Sequence, residues 1–323
     1  VFSGGAIGRY QPSSGTMSMT TINAAAPAGP GRYRGFAFAF SAYLMWGFLP
    51  FYMKAVAHIS PYEVVAHRVL WSVPMTAAIL AMLGGFSSFL AVFRQPRTLA
   101  LGFLTASLIS VNWAIYVWAI GSGRTIESAL GYFINPLVNV ALGTVFLGER
   151  LTRMQMFAVA LAVFGVGLMT VESGGLPWVS LALALTFGIY GYLKKTLPIG
   201  PTQGFLLEVV LISPLALAYI GWLAVTGSGH FAGTGVAATP MDTLLLVAAG
   251  PITAVPLILF VYGARLLRYS TIGLMQYMAP SMIFITAIFV FHEPFSAGKL
   301  VAFMFIWAAL VVYTATVLPG RRR

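Results

Sequence analysis

Ten apolar runs occupy almost the whole chain after residue 34, each close to the ~20 residues a helix needs to cross a bilayer. They lie near 35–57, 62–83, 99–120, 128–147, 153–171, 176–195, 203–225, 243–263, 272–291 and 298–318. Of the 323 residues 59% are hydrophobic and only 8% are charged, where soluble domains carry about a quarter. A soluble fold of this length could not hide so much apolar surface, so lipid must be the solvent for most of it. The expected class is all-α integral membrane, with ten transmembrane helices. Turn dipeptides fall between the runs, at Gly84–Gly85, Gln95–Pro96, Gly174–Gly175 and Gly200–Pro201.

The first 34 residues are rich in Gly, Ser, Pro and Ala and lack an apolar run. They are expected to be a disordered leader and not a secretory signal peptide. Met17 or Met19 is an alternative start.

Ten spans place both termini on one side. Assigning that side to the cytoplasm gives it Arg9, Arg32, Arg34, Arg94, Arg97, Arg150, Arg153, Lys194, Lys195, Arg265, Arg268 and Arg321 to Arg323. The opposite loops hold Arg124 and Lys299, while Lys54 and Arg68 fall within spans. This asymmetry follows the positive-inside rule and explains the net charge of +11 without nucleic acid.

A shift of 144 residues lays "TIGLMQYMAPSMIFITAIFVFHEP" beneath "ESALGYFINPLVNVALGTVFLGER". Pro136 then falls on Pro280, Glu149 on Glu293, and Trp46-Gly47 on Tyr190-Gly191. In the second span the shift is 140, pairing Arg68 with Glu208. The expected organisation is a leader 1–34, a five-helix repeat 35–172, a second repeat 173–318 and a basic cytoplasmic tail 319–323. An odd number of spans per unit inverts the second copy, an arrangement that places a transporter's solute near the midplane.

The fourth span carries Tyr132, Asn135 and Asn139 on one helical face, with Pro136 beside them. Pro136 has no N–H, so the Tyr132 carbonyl loses its helical partner. An amide in hydrocarbon needs another polar group or a wet cavity. Tyr132 and Asn135 are expected to line such a cavity; for Asn139, helix glue and ligand contact stand level. Tyr43, Trp46 and Pro50 repeat the theme in the first span, Asn112, Trp113 and Tyr116 in the third, Tyr190 in the sixth, and Gln276, Tyr277 and Pro280 in the ninth. Aromatic faces with sparse amides suit small amphipathic or zwitterionic solutes, although each ring has ordinary packing as its alternative. Gly131 is expected to let another backbone approach.

Glu63, His67 and Arg68 form the one charged cluster inside a span, open to reading as a proton-sensitive latch or a self-neutralising helix anchor. His67 and Arg68 are candidate gating or coupling residues, and Glu208 is expected to govern the opposite gate. Glu149 and Glu293 are expected to complement the helices that follow them.

At "HRVLWS" (67–72), "NW" (112–113), "LGYFINPLVN" (130–139) and "FLGER" (146–150) the chain resembles the EamA family of the drug/metabolite transporter superfamily. The resemblance spans about 35–318. It implies a bacterial inner-membrane protein of ten helices in two inverted five-helix repeats. It also implies a cavity lined by the first, third, fourth, sixth, eighth and ninth helices. Export or exchange of metabolites, amino acids or drugs such as amphenicols follows from membership. "HEP" at 292–294 departs from the Gly-Glu turn usual in the family.

An enzyme is not expected. The chain has no Cys and only seven acids, too few and too scattered for a carboxylate-held Mg²⁺. His230 and His292 lack zinc-type spacing, and no P-loop is present. No cofactor or metal is expected, and the partners are a small-molecule solute and the lipid bilayer, with homo-oligomerisation left open. A channel or lipid translocase is the closest alternative function.

Overall fold

The computed structural model describes residues 30–147, 151–233, 235, 238–267 and 275–317. Its regular elements are helices: α1 Pro30–Ala55, α2 Pro61–Met82, α3 Phe86–Val92, α4 Pro96–Gly121, α5 Thr125–Leu147 and α6 Arg153–Glu172. They continue as α7 Trp178–Thr196, α8 Pro201–Thr226, α9 Pro240–Leu266, α10 Met278–Ile285 and α11 Ala297–Val317. Among the described residues, seven stretches are long and apolar enough to cross a bilayer, in α1, α2, α4, α6, α8, α9 and α11; the shorter Trp178–Lys194 and Met278–Val290 are apolar as well.

The helix ends follow local chemistry. Proline opens α2, α4, α8 and α9, where its missing N–H has no helical partner to lose. Capping boxes start α6, through Thr152 and Gln155, and α9, through Thr239 and Asp242. Gly227 closes α8 at φ 66°, the left-handed cap that a glycine adopts without strain.

Three expectations need correction. Helix α1 runs from Pro30, so residues 30–34 belong to it and not to a disordered leader. The segment expected only to connect the second and third spans contains α3, whose Phe89 and Val92 are buried while Phe86, Leu90 and Phe93 stay exposed. Its apolar side chains a turn apart were too few to count as a span. The ninth run is not one kinked helix. Gln276 and Tyr277 form a turn, α10 restarts at Met278, and a π-helical turn, Thr286–Val290, ends it. Pro280 thus stands in a first turn, where it has no mid-helix hydrogen bond to break. Pro50 and Pro136 lie inside continuous helices.

The most extensive packing pairs are α6 with α11, α1 with α9, α5 with α7, α2 with α8, α2 with α9, α4 with α7, α1 with α10, α5 with α10 and α4 with α8. Outward faces carry exposed apolar side chains such as Phe103, Val163, Leu217 and Val311, as a lipid solvent requires. Glycines permit close crossings, Gly131 and Gly250 among them. A β-carbon on Gly131 would meet the Ser180 carbonyl of α7 at 2.9 Å, and one on Gly250 would run into the Trp71 carbonyl of α2.

Candidate functional site

Residues 63 to 69 of α2 are buried on every face, because α8 and α9 pack on either side of the helix. Arg68 sits in that stretch at 4% exposure. Its Nε donates to Thr253 Oγ1 of α9 at 3.1 Å, and that hydroxyl donates to the Ala249 carbonyl at 2.8 Å. The guanidinium lies 4.5 Å from the ring centroid of Trp113 on α4. The phenols of Tyr52, Tyr116 and Tyr132 are within its electrostatic reach, and Nη1 has no hydrogen-bond partner. An aromatic face and phenol dipoles lessen the cost of burying a cation, but they do not neutralise it.

The carboxylates of the described residues are engaged elsewhere. Glu63 accepts from His230, at 2.7 Å from the backbone N–H and 3.0 Å from Nδ1. Glu127 pairs with Arg124 and Asp242 with His58. Glu172 accepts from Ser296. Glu293 accepts from the backbone N–H groups of Thr125 and Ile126, at 2.7 and 2.9 Å. Glu208, on α8 and 2% exposed, pairs with Lys194 at 2.6 Å and accepts from the Tyr190 hydroxyl at 3.2 Å. The seventh acid, Glu149, lies outside the described residues.

Glu208 lines a small crevice with Val69, Ser110, Trp113, Phe205 and Ile212. Trp113 therefore borders both buried charges. One turn along α4 from Trp113's neighbour Asn112 stands Tyr116, 2% exposed, its hydroxyl without a partner. The Tyr116 ring packs edge-on against Tyr132 of α5, centroids 5.7 Å apart. Asn135, three residues beyond Tyr132, is 7% exposed and its Oδ1 has no partner. The side chain of Asn139 lies outside those described.

Other expected cavity residues have structural employment. The Asn112 amide donates to the Leu183 carbonyl at 3.0 Å and to Thr186 Oγ1 at 2.8 Å. It ties α4 to α7, and its own Oδ1 is left unpartnered. Tyr43 and Trp46 form an aromatic cluster with Phe260, 5.5 to 5.8 Å between centroids, that seats α1 on α9. Tyr190 is bound to Glu208. Tyr277 packs with the cluster formed by α5, α6, α7, α10 and α11. Gln276 lies in the turn beside it.

The charged cluster in α2 also differs from expectation. Glu63 turns to His230, and His67 accepts from Trp71 Nε1 at 3.2 Å while its ring packs on Phe231, 4.7 Å away. Sequence proximity thus gives three different environments, because residues a turn or less apart on a buried helix meet different neighbours. Glu293 complements α5, not the helix that follows it in sequence. At the adjoining corner His292 has φ 52°, so "HEP" keeps the left-handed turn that a glycine adopts without strain; nothing in the structure explains the histidine.

Sequence reasoning missed Thr253, Tyr52, Lys194 and the pairing of His58 with His230, whose rings lie 5.9 Å apart. Lys194 was counted as a free cytoplasmic charge. Its spacing of four from Tyr190 was the available signal that the two share a face. His58 and His230 fall in loops that the span count puts on one side, which was the signal for their meeting.

Comparison with known proteins adds a second line. The model of the EamA-like transporter family matches residues 33–171. A protein of Vibrio cholerae named "Uncharacterized transporter" is 42% identical over 281 residues, 87% of this chain and 92% of that protein. "Protein RarD" of Escherichia coli is 36% identical over 291 residues, 90% of this chain and 97% of the relative. "Chloramphenicol-sensitive protein RarD" of Pseudomonas aeruginosa is 32% identical over 283 residues, covering 86% and 93%. A solved structure at 18% identity superposes with a TM-score of 0.56 over 88% of this chain and 98% of the other; that likeness concerns the fold alone.

Proposed function

The chain belongs to the EamA-like transporter family as a RarD-like membrane protein, and on that premise we propose a secondary transporter of small amphipathic or zwitterionic solutes working by alternating access. Ten spanning helices form two inverted repeats, residues 35–172 and 173–318, with both termini on the cytoplasmic side of a bacterial inner membrane. The packing supports this arrangement. Exchange α1 with α7, α2 with α8, α4 with α9, α5 with α10 and α6 with α11. The pair α1–α9 then becomes α4–α7, α1–α10 becomes α5–α7, and α2–α9 becomes α4–α8, while α2–α8, α5–α10 and α6–α11 map onto themselves. The most extensive contacts close under that exchange, as two copies of one unit around a pseudo-two-fold axis would, while lesser ones such as α2–α4 and α5–α11 have no counterpart of like extent.

The observation that carries the binding site is the group of buried, unpartnered polar atoms on α4 and α5: Asn112 Oδ1, Tyr116 Oη and Asn135 Oδ1. Such atoms are costly in an interior unless something completes them. Here they adjoin the aromatic walls of Trp113 and Tyr132, a combination suited to a solute with one flat apolar part and a few polar groups. The close packing corresponds to an occluded arrangement, and each half rocks away in turn to admit solute from one side. Lacking a P-loop, the chain draws on solute exchange or an ion gradient. Amino acids, amphipathic metabolites and amphenicols are the solutes to try first.

Reconstitution in proteoliposomes tests this reading. Uptake of that panel is measured with and without a pH gradient for wild type, Asn135→Ala and Trp113→Ala. The expected result is at least one solute moved by wild type and slowed in both variants. If a solute is moved equally by all three proteins, the site is wrong; if none is moved, transport of this solute class is wrong.

A further inference from the structure

Among the described residues, Arg68 is the buried charge left unbalanced. It is nearly inaccessible, one nitrogen has no partner, and every described carboxylate is held by another group. Its single formal hydrogen bond goes to a neutral threonine hydroxyl. Removing a cation from water is expensive unless a counter-charge and hydrogen bonds repay it. Lys194, the nearest comparable case, has that repayment in Glu208. A chain that neutralises one buried charge of a pair and leaves the other bare has reserved the second for something outside itself.

We propose that Arg68 is the anchor for an anionic group on the transported solute, and that the solute is a monocarboxylate with a flat apolar body. This deepens the transporter reading and rests on it. One guanidinium balances one negative charge, and with Lys194 already committed the pocket offers no second cation for a phosphate dianion. The planar fork suits a carboxylate. The indole of Trp113, 4.5 Å from the guanidinium, and the rings of Tyr116 and Tyr132 supply the wall against which the body lies. The Tyr116 hydroxyl, buried in the same cluster as Trp113 and Tyr132 and itself unpartnered, is a second donor for the solute. A carboxylate arriving here would also remove the cost of the bare cation, so binding and closure of the site reinforce each other. Neutral amphenicols rank below carboxylates on this account.

The test compares 3-indolepropionate with its neutral amide, two molecules of nearly the same shape. Binding to the purified full chain is followed by thermal stabilisation, and uptake by proteoliposomes, with sodium chloride and sodium phosphate as controls. In wild type the carboxylate is expected to bind about ten- to a hundred-fold more tightly than the amide, the range of a charge-assisted hydrogen bond. Arg68→Gln should erase that difference, and Arg68→Lys should keep the preference with weaker binding, which guards against a variant that merely fails to fold. Equal handling of acid and amide by wild type overturns the inference and leaves the transporter reading standing. A preference that survives in Arg68→Gln also overturns it, as does stabilisation by chloride or phosphate but not by the carboxylate. Failure of both probes and of the whole solute panel ends both readings.

Discussion

Arg68 and Glu208 occupy adjacent helices, α2 and α8, and both are almost wholly buried, yet they stand in opposite balance. Glu208 has a lysine at 2.6 Å and a phenol at 3.2 Å. Arg68 has a threonine, an aromatic face and a nitrogen with nothing to bond. Trp113 borders both. On the proposed reading the difference separates architecture from function: the charge that the fold completes holds helices together, and the one it leaves incomplete is kept for the solute.

Exchanging each charge for its neutral isostere should break the comparison in opposite directions. Glu208→Gln leaves Lys194 without a counter-charge and should destabilise by about 2 kcal/mol, seen as a lower melting temperature. The further change Lys194→Met should recover most of it. Arg68→Gln relieves an uncompensated charge, so its melting temperature should hold or rise while carboxylate uptake falls at least about ten-fold. If both variants lose stability alike, the two charges are equally structural and the contrast fails.

A smaller loss of anion selectivity is expected from Gly250→Ala. A β-carbon there meets the Trp71 carbonyl, so α9 must shift from α2 and carry Thr253 away from Arg68. Overpacking of this kind costs about 1–3 kcal/mol, and the anion preference should weaken with it, read from the same acid–amide pair. The smallest effect belongs to Asn112→Ala. Losing the amide's bonds to Leu183 and Thr186 should cost about 1 kcal/mol and loosen α4 from α7, measured by thermal melting.

How much of this was legible beforehand follows from the kind of information each feature needs. Helix positions could be read because apolar length and Pro, Gly and Thr at the ends are local signals. Proline at the starts of α2, α4, α8 and α9 and the box at Thr152 are examples. That another backbone would approach Gly131 was legible for the same reason; that it belongs to α7 was not. Side-chain partners were not. Glu63, His67 and Arg68 are neighbours in sequence, but Glu63 meets His230, 167 residues away, and Arg68 meets Thr253, 185 away. Asn112 was expected to meet a ligand because an amide in a span needs a partner, and sequence alone could not say that a carbonyl of α7 would engage its nitrogen and leave its oxygen free. Pro280 signalled a break near Gln276 and Tyr277, but not that the chain would leave the helix at those two residues, as it does.

The central claim is that the region around Trp113 is reached from one side of the membrane at a time. Because the chain contains no cysteine, a single Ser110→Cys variant in the crevice can be labelled without background. A membrane-impermeant maleimide applied to each side of oriented proteoliposomes reads access directly. The account predicts labelling from both sides across the population, slowed from both by a transported solute and shifted between sides when solute is supplied on one. Labelling from neither side, or ion leakage showing that both sides are open at once, would contradict it.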